Sequence, residues 1–324
     1  MKILICDYKE PMDRDLNLEI NHIKKELPGS EIECYLYDGD KQQLFNKIKE
    51  VDALITAYLE VDEELLLHAP NLRMVSIEAN GYNSVDLEAI QRHGVGLTCI
   101  EEYCTNEVAD HTLTLALSVI RKINCYQNDM RVNKVYLFNN HQGLFHLEGK
   151  VWGIIGYGKI GRAVAKRAKA FGCKVIAYDP YLKEADVPLV ELEELYQTSS
   201  IISLHTLLNE ETYHMINKES LSLMKEKPVI INVGRGSLID EIALIEALDN
   251  NIIYGAGLDV FENEESDVLA KSPFLERLDV VITPHIAFYS DESMEECARI
   301  TAYNTIHYLK NEFDKIKRIV YKPN

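Results

Sequence analysis

Three polar side chains in the second half of the chain are of the types needed for acid-base chemistry on a carbonyl group. They are Arg235 in the stretch NVGRG, Glu264 in LDVFENE and His285 in TPH. A guanidinium can hold a carboxylate and polarise the carbonyl beside it, and an imidazolium can give a carbonyl oxygen its proton as a hydride arrives. A carboxylate hydrogen-bonded to the imidazole favours the charged ring, and Glu264 is the expected partner of His285.

Each of these residues also has an ordinary structural explanation. Arg235 can cap a turn, Glu264 is one of several acids in FENEESD, and His285 can be a packed loop histidine. A common site is favoured because each residue follows an apolar, strand-like stretch, and the carboxyl ends of parallel strands meet at one edge of a sheet. Nucleophilic hydrolysis is disfavoured, since the sequence has no G-x-S-x-G stretch and no recognisable cysteine-protease signature.

A glycine-rich turn lies upstream, in the stretch VWGIIGYGKIGRAV at residues 151–164. An apolar strand that turns into a helix presents unpaired N–H groups to an anion. Gly156 permits the tight turn, Gly158 lets a pyrophosphate approach the backbone, and Gly161 lets the helix lie close to the strand. The alternative for the glycines alone is an ordinary strand-to-helix turn.

An acidic residue ends the next strand-like stretch, at Asp179 in AYDP, eighteen residues after Gly161. A carboxylate at this position can accept hydrogen bonds from both ribose hydroxyls of an adenosine and repels a 2′-phosphate. The strand, the glycines and the acid together predict a dinucleotide site for NAD rather than NADP.

The elements that position these residues form two series of apolar stretches alternating with amphipathic ones. This alternation predicts an α/β protein with two doubly wound parallel sheets. The predicted strands of the first series are 2–7, 31–37, 53–56, 73–79 and 95–100, and those of the second are 151–156, 173–179, 200–205, 228–233, 253–260 and 280–285.

Long helical patterns at 105–123 and 290–309 flank the second series. If the last helix returns to the first sheet, a Rossmann NAD-binding domain is inserted into a flavodoxin-like domain. We therefore predict a substrate-binding (catalytic) domain of residues 1–100 plus 291–324 and an NAD-binding domain of residues 101–290.

Composition excludes several classes of partner. A chain of 324 residues is long enough for two domains, and its formal charge of -18 opposes nucleic acids and acidic membrane surfaces. No apolar run approaches the roughly 18 residues of a membrane span, and the amino terminus has no signal-peptide pattern, so a cytoplasmic protein is expected. The seven cysteines form no C-x-x-C pair, which predicts reduced, mostly buried thiols and no metal site.

Taken together, the sequence resembles the D-isomer-specific 2-hydroxyacid dehydrogenase family over most of its length, most strongly from about Gly81 to Phe288. The matching stretches, in order, are EEYCTNEVADH, GKVWGIIGYGKIGRAVAKRAKAFGCKVIAYDP, INVGRGSLID, GAGLDVFENE and TPHIAFY. The last stretch is similar to the D-lactate dehydrogenase branch. The resemblance implies an NAD-dependent oxidoreductase that interconverts a 2-oxo acid and its (R)-2-hydroxy acid, with pyruvate/D-lactate or a larger apolar homologue favoured.

The resemblance also implies roles for individual residues. It makes Arg235, Glu264 and His285 the catalytic trio, with His285 as general acid/base. Residues implied at the cofactor are Gly156, Gly158, Lys159, Ile160, Gly161, Asp179, Thr206, Leu207, Thr212, Val233, Arg235 and Asp259. Residues implied at the substrate are Asn80, Gly81, Tyr103, Arg235 and His285.

Some features depart from the family pattern or leave an alternative open. Glu78 stands where lactate-type relatives often have Arg, and an acid pointing into the substrate entrance disfavours dicarboxylates and phosphorylated acids. Relatives are commonly homodimers, and the apolar helix 108–123 is a candidate for part of the contact. The alternative function is an NADH-sensing, corepressor-like binding protein with little turnover, which lacks support from any extra interaction module.

Overall fold

The computed structural model describes residues 1–323, the side chain of Glu10 excepted, and divides into two compact units. Unit 1 comprises Met1–Tyr103 and the chain from Ser290 onward, and unit 2 is Cys104–Tyr289. The second unit is therefore an insertion between two segments of the first.

Strands occur where the apolar stretches predict them. They are β1 (Lys2–Asp7), β2 (Glu31–Leu36), β3 (Ala53–Thr56), β4 (Met74–Ile77), β5 (Gly96–Cys99), β6 (Val151–Ile155), β7 (Lys174–Tyr178), β8 (Ile201–Leu204), β9 (Val229–Asn232), β10 (Gly255–Leu258), β11 (Val280–Ile282) and β12 (Ile319–Tyr321). The sequence prediction omits β12, because three residues between basic neighbours carry too little periodic signal.

The helices occupy the amphipathic segments. They are α1 (Lys9–Met12), α2 (Asn17–Glu26), α3 (Lys41–Ile48), α4 (Glu63–Leu67), α5 (Leu87–His93), α6 (Thr105–Ile120), α7 (Ile123–Asn128), α8 (Lys159–Ala170), α9 (Leu192–Thr198), α10 (Lys218–Ser222), α11 (Glu241–Asp249), α12 (Ser266–Leu269) and α13 (Asp291–Leu309). A π-helical turn, Asp129–Asn133, follows α7.

The sheet of unit 1 has the strand order β2-β1-β3-β4-β5-β12. Its strands are parallel except for β12, which pairs antiparallel with β5. Apolar side chains cover both faces, with Leu4 and Leu54 on one face and Ile3, Ile5 and Ile55 on the other. Such an order, interrupted only by an antiparallel edge, is that of flavodoxin-like sheets.

The sheet of unit 2 is parallel throughout, with the order β7-β6-β8-β9-β10-β11. A parallel bridge between Ala177 and Leu189 adds one further pairing beyond β7. If this bridge is counted as a strand, the order becomes 3-2-1-4-5-6-7, the Rossmann order with a vestigial third strand. The predicted fold class, two doubly wound α/β sheets, is confirmed.

The two long helices differ in how well the sequence predicted them. Helix α13 occupies the predicted segment 290–309, with Ser290 as its N-cap, and the Ser290 side chain forms a capping box with Ser293. The helix predicted to extend to 123 instead ends at Ile120, because Lys122 adopts a left-handed conformation with φ of 52°. Helix α6 therefore stops one turn early, and α7 follows as a separate element.

The apolar face of α6 is used within unit 2. Val108, Leu113, Val119 and Ile120 are all buried in the chain itself. These four side chains pack beside the sheet of unit 2, so they offer no apolar surface to a second copy, whereas Ile123 at the end of the predicted segment is exposed. The contribution of this segment to a homodimer contact stays a prediction.

Two chain-wide predictions concern thiols and membranes. The seven cysteines lie in the described part of the chain and carry free thiols, and all except Cys34 are buried, as predicted. Among residues 1–323, every helix is too short or too polar to cross a lipid bilayer.

Candidate active site

Neighbouring strands of unit 2 deliver the predicted acid-base residues to one edge of the sheet. Arg235 follows β9, Asp259 follows β10, and His285 follows β11. Glu264 lies in the loop after β10 and reaches the His285 ring. The sequence therefore placed these side chains on the correct edge by strand order alone.

Glu264 and His285 form a direct hydrogen bond. The Glu264 Oε2 atom lies 2.9 Å from Nδ1 of His285, and both side chains are partly exposed. Because Nδ1 donates to the carboxylate, Nε2 is the ring nitrogen left for a proton exchange with a ligand. The backbone of His285 has φ of 53°, an uncommon conformation for a residue with a side chain and one that clusters at functional positions.

The turn that carries His285 is held by the buried carboxylate of Asp259. The Asp259 oxygens accept hydrogen bonds from the Thr283 hydroxyl at 2.6 Å, the Ile286 amide at 2.9 Å and the Ala287 amide at 2.8 Å. The Asp259 carbonyl also accepts from the His285 amide at 2.8 Å. Asp259 thus binds the residues before and after His285 as well as the His285 amide, and these bonds hold His285 in its left-handed conformation.

Burial alone would raise the pKa of Asp259, but hydrogen bonds from His111, Thr283 and the two amides outweigh it and lower that pKa. The His111 Nε2 atom lies 3.5 Å from Asp259 Oδ1 and 2.9 Å from the Thr283 hydroxyl. No role is predicted for His111 from the sequence, because the α6 segment has no feature that indicates a contact with Thr283, 172 residues further along the chain.

Arg235 is positioned by its own loop. The Asn232 side chain accepts from the Gly234 amide at 3.0 Å and donates to the Arg235 carbonyl at 2.9 Å, and Nη1 of Arg235 donates to the Gly234 carbonyl at 2.8 Å. Within residues 1–323 no carboxylate pairs with this guanidinium. An unpaired guanidinium that is partly exposed is suited to receiving an anionic ligand.

The glycine turn has the shape that a diphosphate needs. Gly156 has φ of 88°, and a Cβ there would lie 2.6 Å from the His205 carbonyl oxygen. A Cβ on Gly161 would lie 2.3 Å from the Gly156 carbonyl oxygen, whereas a Cβ on Gly158 would meet no atom within 4 Å. Gly158 is also the N-cap of α8 and leaves the first amides of that helix without a side-chain cap. The residues present fit a dinucleotide, since the open space lies at the glycine that a phosphate must approach.

The other predicted cofactor residues lie on the loops after β7, β8 and β9. Asp179 accepts from the amides of Tyr157 and Tyr181 at 2.9 and 3.0 Å, which ties the end of β7 to the glycine turn. The Thr212 hydroxyl donates to the Leu207 carbonyl at 2.6 Å, and Leu207 itself is 82% exposed. The remaining members of this group are Lys159 and Ile160 at the start of α8, Thr206 after β8 and Val233 after β9.

His205 is a further candidate that the sequence analysis missed. The indole N–H of Trp152 donates to Ser203 Oγ at 2.9 Å, and the same oxygen lies 3.0 Å from Nε2 of His205, with which it forms a second hydrogen bond. The other ring nitrogen of His205, Nδ1, is buried without a partner among the described residues. Burial lowers the pKa of His205 to about 3, so the ring is neutral. The position of His205 at the end of β8 was the signal in the sequence that could have identified it as a candidate.

The predicted substrate residues Asn80, Gly81 and Tyr103 belong to unit 1. In the loop after β4, the carbonyl of Ala79 accepts from the Ile100 amide at 3.1 Å and that of Asn80 from Arg318 Nη1 at 3.0 Å. A trans peptide places C=O and the next N–H on opposite sides, so the amides of Asn80 and Gly81 point away from these partners. Two consecutive N–H groups that point away from these partners suit a carboxylate.

Glu78 precedes this loop, and its carboxylate is not a free acid. It accepts two hydrogen bonds from Nη2 of Arg14, at 2.8 and 2.7 Å, and its side chain is 7% exposed. The expectation about dicarboxylates and phosphorylated acids applied only to an acid that points into the substrate entrance, whereas the Glu78 oxygens face Arg14 on the connection between α1 and α2.

Comparisons with known proteins agree with this architecture. The family model described as D-isomer specific 2-hydroxyacid dehydrogenase, NAD binding domain, matches residues 113–287. A glyoxylate reductase of Thermococcus litoralis is 38% identical over 282 residues, which are 83% of this chain and 84% of the relative. A hydroxypyruvate reductase of Blautia hydrogenotrophica is 34% identical over 291 residues, 86% of this chain and 89% of the relative.

A solved structure is similar over the whole chain. It is that of D-lactate dehydrogenase from Aquifex aeolicus complexed with NAD and lactic acid, with a TM-score of 0.84 and 30% identity. The match covers 99% of this chain and 100% of that one.

The glycine turn generates a prediction that separates binding from folding. Gly158→Ala should weaken NADH binding about tenfold or more, since its methyl group occupies the open space at the helix start, while the melting temperature of the ligand-free protein stays close to the parent value. Gly161→Ala is the matched control and should lower the free energy of unfolding by about 1–3 kcal/mol, because its methyl group meets backbone. Fluorescence titration with NADH and thermal unfolding measure the two effects. Parent-like NADH affinity in Gly158→Ala would remove the diphosphate from this turn.

Proposed function

Because the chain belongs to the D-isomer specific 2-hydroxyacid dehydrogenase family of NAD-dependent oxidoreductases, we propose that it reduces a short 2-oxo acid to the (R)-2-hydroxy acid with NADH. The observation that carries the proposal is the hydrogen bond between Glu264 and His285 on the sheet edge that also presents Arg235. An oriented imidazole and an unpaired guanidinium are the groups that such a reaction requires of the protein.

In the proposed reaction Arg235 binds the substrate carboxylate and polarises the adjoining carbonyl. His285 gives its Nε2 proton to the carbonyl oxygen, and Glu264 stabilises the imidazolium before that transfer and keeps the ring in place. Bound NADH supplies the hydride. The amides of Asn80 and Gly81, together with Tyr103, are the further proposed contacts of the substrate carboxylate. In the opposite direction His285 accepts the hydroxyl proton.

For the substrate we propose pyruvate or a larger apolar 2-oxo acid. Glyoxylate and hydroxypyruvate are the specific rivals, since they are the substrates in the names of two relatives that this chain matches over more than four fifths of its length. All four compounds have the same 2-oxo carboxylate and differ only in the group on the carbonyl carbon. The proposed catalytic residues are therefore common to them, and pocket size decides between them.

The test is the oxidation of NADH with pyruvate, 2-oxoisocaproate, glyoxylate and hydroxypyruvate, in the parent and in His285→Ala. We expect turnover of at least one compound, and a loss in His285→Ala of about 100-fold or more in kcat with NADH affinity retained, because the variant lacks the proton donor. His146→Ala is a control histidine outside the site.

Two results would contradict the proposal. Tight NADH binding with no turnover of any 2-oxo acid would favour the corepressor-like alternative. Equal kcat in His285→Ala and the parent would remove His285 from the reaction.

Cofactor choice gives a second prediction. Asp179 follows β7, where a carboxylate repels the 2′-phosphate of NADPH, so Asp179→Ala should narrow the preference for NADH over NADPH by about tenfold or more. The measurement is the ratio of kcat/KM for the two cofactors. Asp186→Ala is a matched control, since this carboxylate pairs with Lys169 and Tyr157 instead. An unchanged ratio in Asp179→Ala would refute the ribose role.

We also propose that the protein is a homodimer, with a contact different from the one expected at α6. Residues after α7 expose consecutive large apolar side chains, among them Tyr136 at 87% and Phe138 at 91%, with Val132 and Leu137 also exposed. Contiguous apolar patches on soluble proteins are commonly interfaces. A second copy of the same segment is self-complementary about a two-fold axis.

The oligomeric state tests this contact. The double variant Tyr136→Ser/Phe138→Ser should sediment as a monomer at concentrations where the parent is a dimer, because the apolar area no longer drives association. Ile242→Ser, at an apolar side chain exposed elsewhere in unit 2, is the control and should remain dimeric. A monomeric parent, or a dimeric double variant, would overturn the assignment.

A further inference from the structure

Beneath the loop after β4, unit 1 contains a cluster of two carboxylates on one guanidinium. Arg14 donates from Nη1 to Glu19 Oε2 and from Nη2 to Glu19 Oε1, both at 2.8 Å, and from the same Nη2 to both oxygens of Glu78. Its Nε donates to the Pro11 carbonyl at 3.1 Å. The three side chains join α2, the α1–α2 connection and the end of β4.

This cluster carries one negative charge more than it can balance internally. The Glu19 side chain is fully buried, that of Glu78 is 7% exposed, and Arg14 is the cation that pairs with them. Asp7, at the end of β1, adds a further buried carboxylate, which accepts from the Thr56 hydroxyl and the Tyr58 amide. A surplus charge in a buried cluster is expensive, so such clusters take up a proton more readily than exposed acids do.

The cluster is close in sequence to the proposed substrate loop. Ala79 alone separates Glu78 from Asn80 and Gly81, and the main-chain carbonyl of Glu78 accepts from the Cys297 thiol of α13 at 3.4 Å. The carbonyls of Glu78, Ala79 and Asn80 all accept hydrogen bonds, so the short main-chain segment between the Glu78 carboxyl group and the amides of Asn80 and Gly81 is held in place. An anion at those amides therefore experiences the protonation state of Glu78.

We infer that Glu78, held by Arg14, is a specificity residue that makes the affinity for a 2-oxo acid anion fall as the cluster loses its shared proton. This inference rests on the proposed role of the Asn80–Gly81 amides. A neutral cluster leaves the amides free to attract the carboxylate, whereas an ionised Glu78 repels it. The effect acts on substrate binding, not on the proton transfer at His285 in unit 2.

The groups around Glu78 determine the pH at which its carboxyl group ionises. Burial raises the pKa of Glu78 to about 7, with Arg14 opposing the rise and Glu19 and Asp7 adding to it. Burial also raises the pKa of Glu19, against the hydrogen bonds of Arg14. The other titratable groups that face the cluster are Asp15 beside Glu19, Cys34 on β2 and Cys297 on α13.

Stability should show the same titration independently of any ligand. A carboxyl group whose pKa is higher in the folded state than in the unfolded state stabilises the fold below the unfolded value of about 4.3. That contribution disappears as the pH rises through the folded value near 7. Glu78→Gln cannot ionise, so its melting temperature should rise relative to that of the parent between about pH 5 and pH 8.

The binding experiment compares Glu78→Gln with the parent, and uses Glu64→Gln as the control. Glu64 is an exposed carboxylate of the same unit that pairs with Lys41, so its variant removes one charge without touching the cluster. The probe is oxamate, an unreactive carboxylate analogue of pyruvate, whose dissociation constant from the NADH complex is followed by the fluorescence of bound NADH. This readout does not need turnover, and KM for pyruvate is measured beside it.

We expect the oxamate dissociation constants of parent and Glu78→Gln to converge near pH 5.5 and to differ by about three- to tenfold near pH 8.5, with the parent weaker. The pyruvate KM values should diverge in parallel, while the ratio of kcat values stays independent of pH. Glu64→Gln should follow the parent throughout.

A parent-to-variant ratio of oxamate dissociation constants that is the same at every pH would overturn the inference. So would a melting-temperature difference between Glu78→Gln and parent that does not change with pH. A failure of the proposed function would give a different result. In that case oxamate would still bind with this pH dependence, but no 2-oxo acid would be reduced.

Discussion

The geometry of the candidate site depends on one buried carboxylate, that of Asp259. The carboxylate accepts hydrogen bonds from the hydroxyl of Thr283 and from the amides of Ile286 and Ala287. The main-chain carbonyl of Asp259 accepts from the amide of His285. These bonds fold the end of β11 into a tight turn and hold His285 at a positive φ that its own side chain disfavours. Together these bonds hold the imidazole in the position from which it forms its hydrogen bond with Glu264.

The charged groups singled out in the two units differ in how deeply they are buried. In unit 2 the carboxylate of Glu264 is partly exposed and pairs with one imidazole, that of His285. In unit 1 the carboxylates of Glu19 and Glu78 share Arg14 in a buried position, where an unbalanced charge is costly and protonation relieves it. His205 in unit 2 is also buried, and desolvation lowers its pKa and keeps the ring neutral, with Nδ1 lacking a partner among the described residues.

The glycines of the nucleotide turn have different structural roles. At Gly161 the missing side chain allows helix α8 to touch the backbone of the turn, which is a packing requirement. At Gly158 the missing side chain leaves open space, which packing does not require and a ligand does. The spacing of the glycines predicts both positions, but only the coordinates separate the structural glycine from the one that a ligand would need.

The sequence by itself determined the fold class, the strands apart from the short β12, and the order in which Arg235, Asp259 and His285 reach one sheet edge. These features follow from local periodicity and from the rule that parallel strands present their carboxyl ends together, so no long-range contact has to be known. Tertiary structure alone decided the partners: Arg14 for Glu78, His111 for Thr283, and the core of unit 2 for the apolar face of α6. Each of these contacts joins residues far apart in the chain, and side chains of the same composition and spacing could have met solvent instead. Pairing of this kind depends on three-dimensional proximity, which periodicity does not encode.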